Sequence, residues 1–424
     1  MRLDEFIDEF ERDEAARRRE LAAEKSYAIT EHLEDVERQV QRTVQDDTLV
    51  GSTAPEIFVG RSGYPNVSTG LLSPVEPDAA AEGFATSSDW YESGLGIEDV
   101  LQRRTGLLNS AQSLAVDSVQ GRGGAYDAWD GFVGVQREVA IADHPVDVEV
   151  GLDGTPEIDV GFDDVRTPTG PRANATGADL TENPHVPRSV EKTLSDDDWA
   201  AEGAMTYLYR RGFDVYDINT ILSAGALGKA SERSLVPTRW SITAVDDTVG
   251  QYLRGSLQTA DTIDKPEVWY NEYMGNRYWV LLAPGRWEFE LVELKAPESV
   301  WNPRPGAGYY LASAHEGYEG RTGYVEETAG AYYAARLGVL EHLRERGRQA
   351  KCLVLREITD DYWAPVGVWQ VREGVRNAFD GEPGVGQSFR ETLDAIADQL
   401  PVGLGPLRRK SELVAGLQSQ LTDF

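Results

Sequence analysis

Two acidic segments carry the residue types that metal-assisted chemistry on a phosphate would use. Ser234–Asp247 ends on the adjacent carboxylates Asp246 and Asp247 and contains Arg239 and Trp240. Further along, Glu293-Leu-Lys295 lies in the run Glu290–Pro297, which reads as a strand. Residues two apart on a strand share a face, so Glu293 and Lys295 would point the same way. Asp246 or Asp247 with Glu293-x-Lys295 makes the D…E-x-K arrangement of metal-dependent phosphodiester cleavage. The carboxylates would hold Mg²⁺, and the lysine would stabilise or help deprotonate the attacking water. The plainer reading is a solvated ion pair of little energetic worth. Adjacent acids are also frequent in so acidic a chain, and the gap between the two segments is long for that arrangement. Arg61, Arg239, Trp240 and Trp301 have the chemistry for phosphate contact and base stacking, or for ordinary ion pairs and core packing.

A different kind of signal closes the sequence, Gln418-Ser-Gln-Leu421-Thr-Asp-Phe424. One tight turn brings its first, fourth and seventh positions to one side. Leu421 and Phe424 would then fill an apolar pocket while Gln418 bonds at its rim. A mobile chain end suits such a use; a frayed amphipathic helix end is the bland alternative.

Other sites are poorly supported. Gly225–Ser231 lacks the first glycine and the magnesium hydroxyl of a phosphate-binding loop. The 5 histidines show no ligand spacing. Cys352 is the only cysteine, so a disulfide within the chain and a multi-cysteine zinc site are both excluded. It stands in an apolar run and reads as a buried thiol. Net charge is −31, with arginine favoured over lysine. That pattern is typical of salt-loving archaea and excludes a basic DNA-coating protein. It does not exclude DNA as a ligand, because at about 1 M salt the screening length is only about 3 Å. There is no signal peptide at Met1 and no apolar run long enough to span a membrane, so a soluble, cytoplasmic protein is expected.

The elements that must position these residues are mixed, α/β or α+β. The hydrophobic spacing predicts a helical arm over 2–45 (domain bounds 1–48). A large mixed-sheet domain follows over 49–300, a smaller α/β domain over 301–406, and a flexible peptide over 407–424. Within them, helices are expected at 98–119, 196–211, 326–346 and 386–400. Strands are expected from 132 to 162, across 236–295 including the 234–247 run, and at 351–358 and 366–371. The stretch 163–188 reads as a loop and 401–406 as a linker.

Three segments together resemble the archaeal Nre family over nearly the whole chain: Phe58–Val67, Leu235–Asp247 and Glu293–Pro297. The terminal peptide is similar to the PIP box with which repair and replication proteins grip the sliding clamp PCNA. The resemblance implies a DNA repair protein that acts with PCNA and with other repair proteins, in a two-part layout. The runners-up are a Mg²⁺-dependent nuclease acting on damaged DNA and an adaptor without catalysis. Many members carry an N-terminal cysteine cluster suited to zinc; here there is none, so zinc is not expected. The tail ends at Phe424 without a second aromatic. A buried aromatic is worth roughly 1.5–3 kcal/mol, so micromolar affinity is expected.

Overall fold

The computed structural model describes residues 32, 34–76, 79–120, 129–157, 170–304 and 306–416. The arm before residue 32 and the terminal peptide Gln418–Phe424 therefore lie outside the described residues. The packing divides the chain into two compact units, Ala28–Val249 and a second that contains Gly250–Phe424.

The first unit is built on a mixed seven-stranded sheet. Its strands are β1 (Val44–Gln45), β2 (Thr48–Thr53), β3 (Ile57–Val59), β4 (Asn66–Pro74), β5 (Leu107–Ala115), β6 (Val146–Leu152) and β7 (Arg172–Leu180), in the order β1-β2-β6-β7-β5-β4-β3. Only β5 and β7 run parallel. Asp46 and Asp47 join β1 to β2 with φ of 49° and 56°. This is the left-handed pair that a two-residue hairpin turn requires, and aspartate tolerates it. Val146, Val148 and Val150 of β6 are buried while Asp147 and Glu149 are exposed, as the alternation predicts. Val36 and Val40 of the helical segment 34–43 join the same core, so this part of the expected arm is docked.

Several expectations fail here for one reason: small or polar residues fill core positions. The segment 98–119 splits into helix α1 (Ile97–Thr105) and strand β5. Val133 and Val135 belong to helix α2 (Gly131–Ile141), not to a strand. Its buried stripe includes Gln136 and Arg137, which hides the helical period. β7 occupies part of the expected loop, because Ala173, Ala175 and Ala178 suffice to cover the core. Helices α3 (Arg188–Ser195), α4 (Ala201–Arg210) and α5 (Val215–Ser223) follow. The 234–247 run is helical from Thr238 onward and opens α6 (Thr238–Leu257), inside which the division between units falls. Val245, Val249, Leu253 and Leu257 are buried at four-residue spacing, and this stripe outweighs the β-branched content of Ile242-Thr243.

The second unit holds a six-stranded sheet of order β12-β11-β14-β10-β9-β15. It comprises β9 (Glu267–Tyr273), β10 (Asn276–Ala283), β11 (Glu288–Lys295), β12 (Tyr310–Glu316), β14 (Lys351–Ile358) and β15 (Gly384–Val385). Short β8 (Asp261–Thr262) and β13 (Arg348–Gln349) pair separately. Met274 and Gly275 turn the β9–β10 hairpin with φ of 49° and 67°. Both faces of the sheet are covered, so β10, β11 and β14 are buried almost throughout. On one side Trp279, Val292, Leu294, Leu353 and Leu355 meet Leu393 of helix α9 (Phe389–Ile396), Leu407 of α10 (Leu404–Lys410) and Leu413 of α11 (Glu412–Gly416). On the other lie α7 (Ala329–Arg346) and α8 (Trp369–Arg376). A Cβ on Gly374 of α8 would stand 2.4 Å from the Tyr278 ring, which is how closely that helix approaches β10. Helix α8 replaces the strand expected at 366–371, and α10 takes up the second half of the expected linker. Cys352 is buried, and burial pushes its thiol up.

Two buried charge groups tie this unit together. Arg336 of α7 donates to Glu316 at 2.9 Å, and Trp287 Nε1 donates to the same carboxylate at 2.8 Å. Glu290 on β11 accepts from Ser411 Oγ (2.6 Å), Glu412 N (2.9 Å) and Leu413 N (3.0 Å), and so caps α11. Burial pushes its carboxyl up, against the lowering effect of those bonds.

Candidate nucleic-acid interface

Two of the sequence segments singled out above come together in the first unit. The loop Gly60–Pro65 joins β3 to β4. It is pinned at its base by Gly60 N to Ser68 O (2.7 Å) and within by Asn66 N to Gly63 O (3.0 Å). Gly63 sits at φ +82°, where a side chain would be strained. Val59 N donates to Thr238 Oγ1 at 2.9 Å, which ties this hairpin to the first turn of α6.

That turn has a buried side and an open side. Ser241 is fully buried, 2.5 Å from Asn219 Oδ1 and 2.6 Å from Ser223 Oγ, and so anchors α6 on α5. Arg239 and Trp240 face outward, with Trp240 45% exposed. Tyr64 at the tip of the loop is 54% exposed, and its ring lies 5.4 Å from that of Trp240, tilted by 53°. Arg61 is exposed on the same loop. Among the described residues neither Arg61 nor Arg239 has a carboxylate within ion-pair distance. Arg172 Nη2 donates to Ser68 Oγ (2.8 Å) and adds a third exposed guanidinium beside the base of the loop.

Exposed aromatics next to uncommitted arginines can stack bases and neutralise phosphates. In a chain of net charge −31 such a cluster is a local exception. Sequence reasoning found Arg61, Arg239 and Trp240. It missed Tyr64 and Arg172, although Tyr64 stood in a quoted motif. Trp301 is committed to structure: its Nε1 donates to Tyr362 O at 2.8 Å and its ring stacks on that of Tyr362.

The four carboxylate-and-lysine candidates fall on different elements. Asp246 and Asp247 are consecutive on helix α6, where neighbours project about 100° apart. Asp246 is buried and Asp247 half-buried, and both belong to the first unit. Glu293 and Lys295 are on β11 in the second unit, their charged atoms 3.3 Å apart. The Glu293 carboxylate also receives Arg356 Nη1 at 2.7 Å, and Arg356 Nε donates to Asn276 Oδ1 at 3.0 Å. The glutamate thus already faces two cations.

The family profile described as "Archaeal Nre, N-terminal" matches residues 21–302, and "Archaeal Nre, C-terminal" matches 316–424. The chain belongs to the archaeal Nre family. This Nre chain is similar to a protein named DNA repair protein NreA from Haloferax volcanii, 64% identical over the whole of both chains. It is also 39% identical to a DNA repair protein NreA from Archaeoglobus fulgidus, over 83% of this chain and 85% of that one. A DNA repair protein NreB from the same organism is 35% identical over 91% of this chain and 93% of its own. No solved structure matches this Nre chain.

Replacing Trp240 with alanine is expected to weaken single-stranded DNA binding by roughly 1–3 kcal/mol, the value of one stacked base. The loss should depend little on salt, whereas Arg239→Ala should reduce the salt slope. Fluorescence anisotropy on a labelled oligonucleotide across a KCl series reads both. Identical curves for all three proteins would remove this surface from consideration.

Proposed function

We propose that this Nre chain acts in DNA repair, brought to DNA by the sliding clamp PCNA through Gln418, Leu421 and Phe424. The Arg61–Tyr64–Arg239–Trp240 surface would hold nucleic acid. The observation that carries the reading is full-length likeness, at 64% identity, to a protein named for DNA repair. The terminal Q-x-x-L-x-x-F spacing supports the clamp, and the exposed aromatic pair supports the DNA contact. The protein would work in the cytoplasm at molar salt, where its acidity does not repel DNA. No helix among the described residues is long and apolar enough to cross a membrane.

We read its part as that of a recruited adaptor rather than a nuclease. Mg²⁺ at Glu293 would first have to compete with Arg356 and Lys295 for the carboxylate. Mg²⁺-dependent cleavage of a labelled DNA panel that disappears in Lys295→Ala would reverse this choice.

Calorimetric titration of the cognate PCNA in molar KCl tests recruitment. Full-length protein is expected to bind with micromolar Kd, and a variant lacking residues 418–424 to give no heat of binding. Equal binding by both, or none by either, would reject the clamp.

A further inference from the structure

Three metal-capable side chains that are far apart in the sequence meet at one edge of the first unit. Asp143 and His144 form the bend between α2 and β6, and His185 lies in the segment between β7 and α3. The two connections are fixed to each other by Asp143 N to His185 O (3.2 Å) and Thr181 N to Asp147 O (2.9 Å). Asp147 N in turn donates to Glu182 Oε1 (3.0 Å). On this frame Asp143 Oδ1 is 2.5 Å from His144 Nδ1, and Asp143 Oδ2 is 2.8 Å from His185 Nδ1. The two imidazoles stack 5.7 Å apart at 15°. All three residues are exposed, and one ligand atom from each can be chosen within 4.8 Å of the others.

We propose that Asp143, His144 and His185 form a binding site for a divalent transition-metal ion of the zinc class. Two imidazoles and one carboxylate are a donor set for such an ion rather than for Mg²⁺ or Ca²⁺, which take oxygen ligands. Zinc bonds of about 2.0–2.1 Å in a tetrahedron put donor atoms about 3.4 Å apart. The two carboxylate–imidazole distances, 2.5 and 2.8 Å, are shorter than that, so the side chains would rotate apart to admit the ion. Water would fill the fourth position. Cysteine reasoning could not have found this site, because it uses none. The ion would cross-link the 142–145 bend to the 181–187 segment and stabilise that end of the β6–β7 pair.

The test uses the full chain without a histidine tag, stripped with chelator and held in molar potassium nitrate with excess Mg²⁺. Titrated Zn²⁺ is expected to bind one equivalent, and Co²⁺ to give the visible bands of a nitrogen- and oxygen-ligated ion. Zn²⁺ should also raise the melting temperature. The exposed double variant His144→Ala/His185→Ala should lose the calorimetric signal, the cobalt bands and the thermal shift together. Zn²⁺ binding that survives in the variant, or that Mg²⁺ abolishes in the native protein, would overturn the proposal. If the variant does not fold, the native cobalt spectrum decides: bands of oxygen ligation only would overturn it.

Discussion

Glu293→Ala is expected to lower the stability of the folded chain by about 3–5 kcal/mol, the cost of leaving a buried charge unpaired. Arg356 is the charge in question. It is 5% exposed, and its remaining side-chain bond is to Asn276 Oδ1. Lys295→Ala should cost less, because it strands no cation and Glu293 keeps Arg356. Guanidinium chloride denaturation of the two variants checks the contrast. Equal small losses would mean that the Glu293–Arg356 pair is not the tie described. The contrast also orders the functional experiments. Activity lost in Glu293→Ala can be explained by unfolding, whereas activity lost in Lys295→Ala cannot.

A loss of similar size, about 3–5 kcal/mol, is expected for Arg336→Met. Here the stranded group is the Glu316 carboxylate, whose side chain is 0% exposed and which would keep the neutral Trp287 indole as a donor but no cation. The double variant Arg336→Met/Glu316→Gln should recover much of the loss, since no charge then remains unpaired. A double-mutant cycle by denaturation reads the coupling. Additive losses would mean that the two side chains act independently and that the ion pair is not what holds α7 to β12.

What could be read in the sequence follows from how each core position is filled. β6 was legible because its valines alternate with Asp147 and Glu149, and β14 because Cys352–Leu355 is an unbroken apolar run between polar ends. Helix α7 was legible from length and composition. Helix α2 was not, since Gln136 and Arg137 occupy buried places that a pattern of apolar residues cannot register. Nor was β7, whose alanines carry too little hydrophobicity to mark a strand. For the candidate interface, residue chemistry pointed to Arg61, Arg239 and Trp240, but their neighbourhood depends on the Val59–Thr238 bond between segments far apart in the chain. His144 and His185 looked scattered for the same reason. Their meeting is made by two connections of the sheet, not by any local spacing.

The Glu290 latch on α11 has a consequence for geometry. Its bonds hold the chain as far as Leu413, in a helix described to Gly416, and in the sequence a single residue, Leu417, stands between Gly416 and Gln418. One extended residue spans at most about 3.6 Å. A clamp that closes on Gln418 would therefore hold no slack tether. The ring would dictate which way the second unit points as well as where it stands, much as a bolted bracket does where a rope would not. Inserting a few glycines after Gly416 would keep the affinity for the ring while freeing the protein to turn on it.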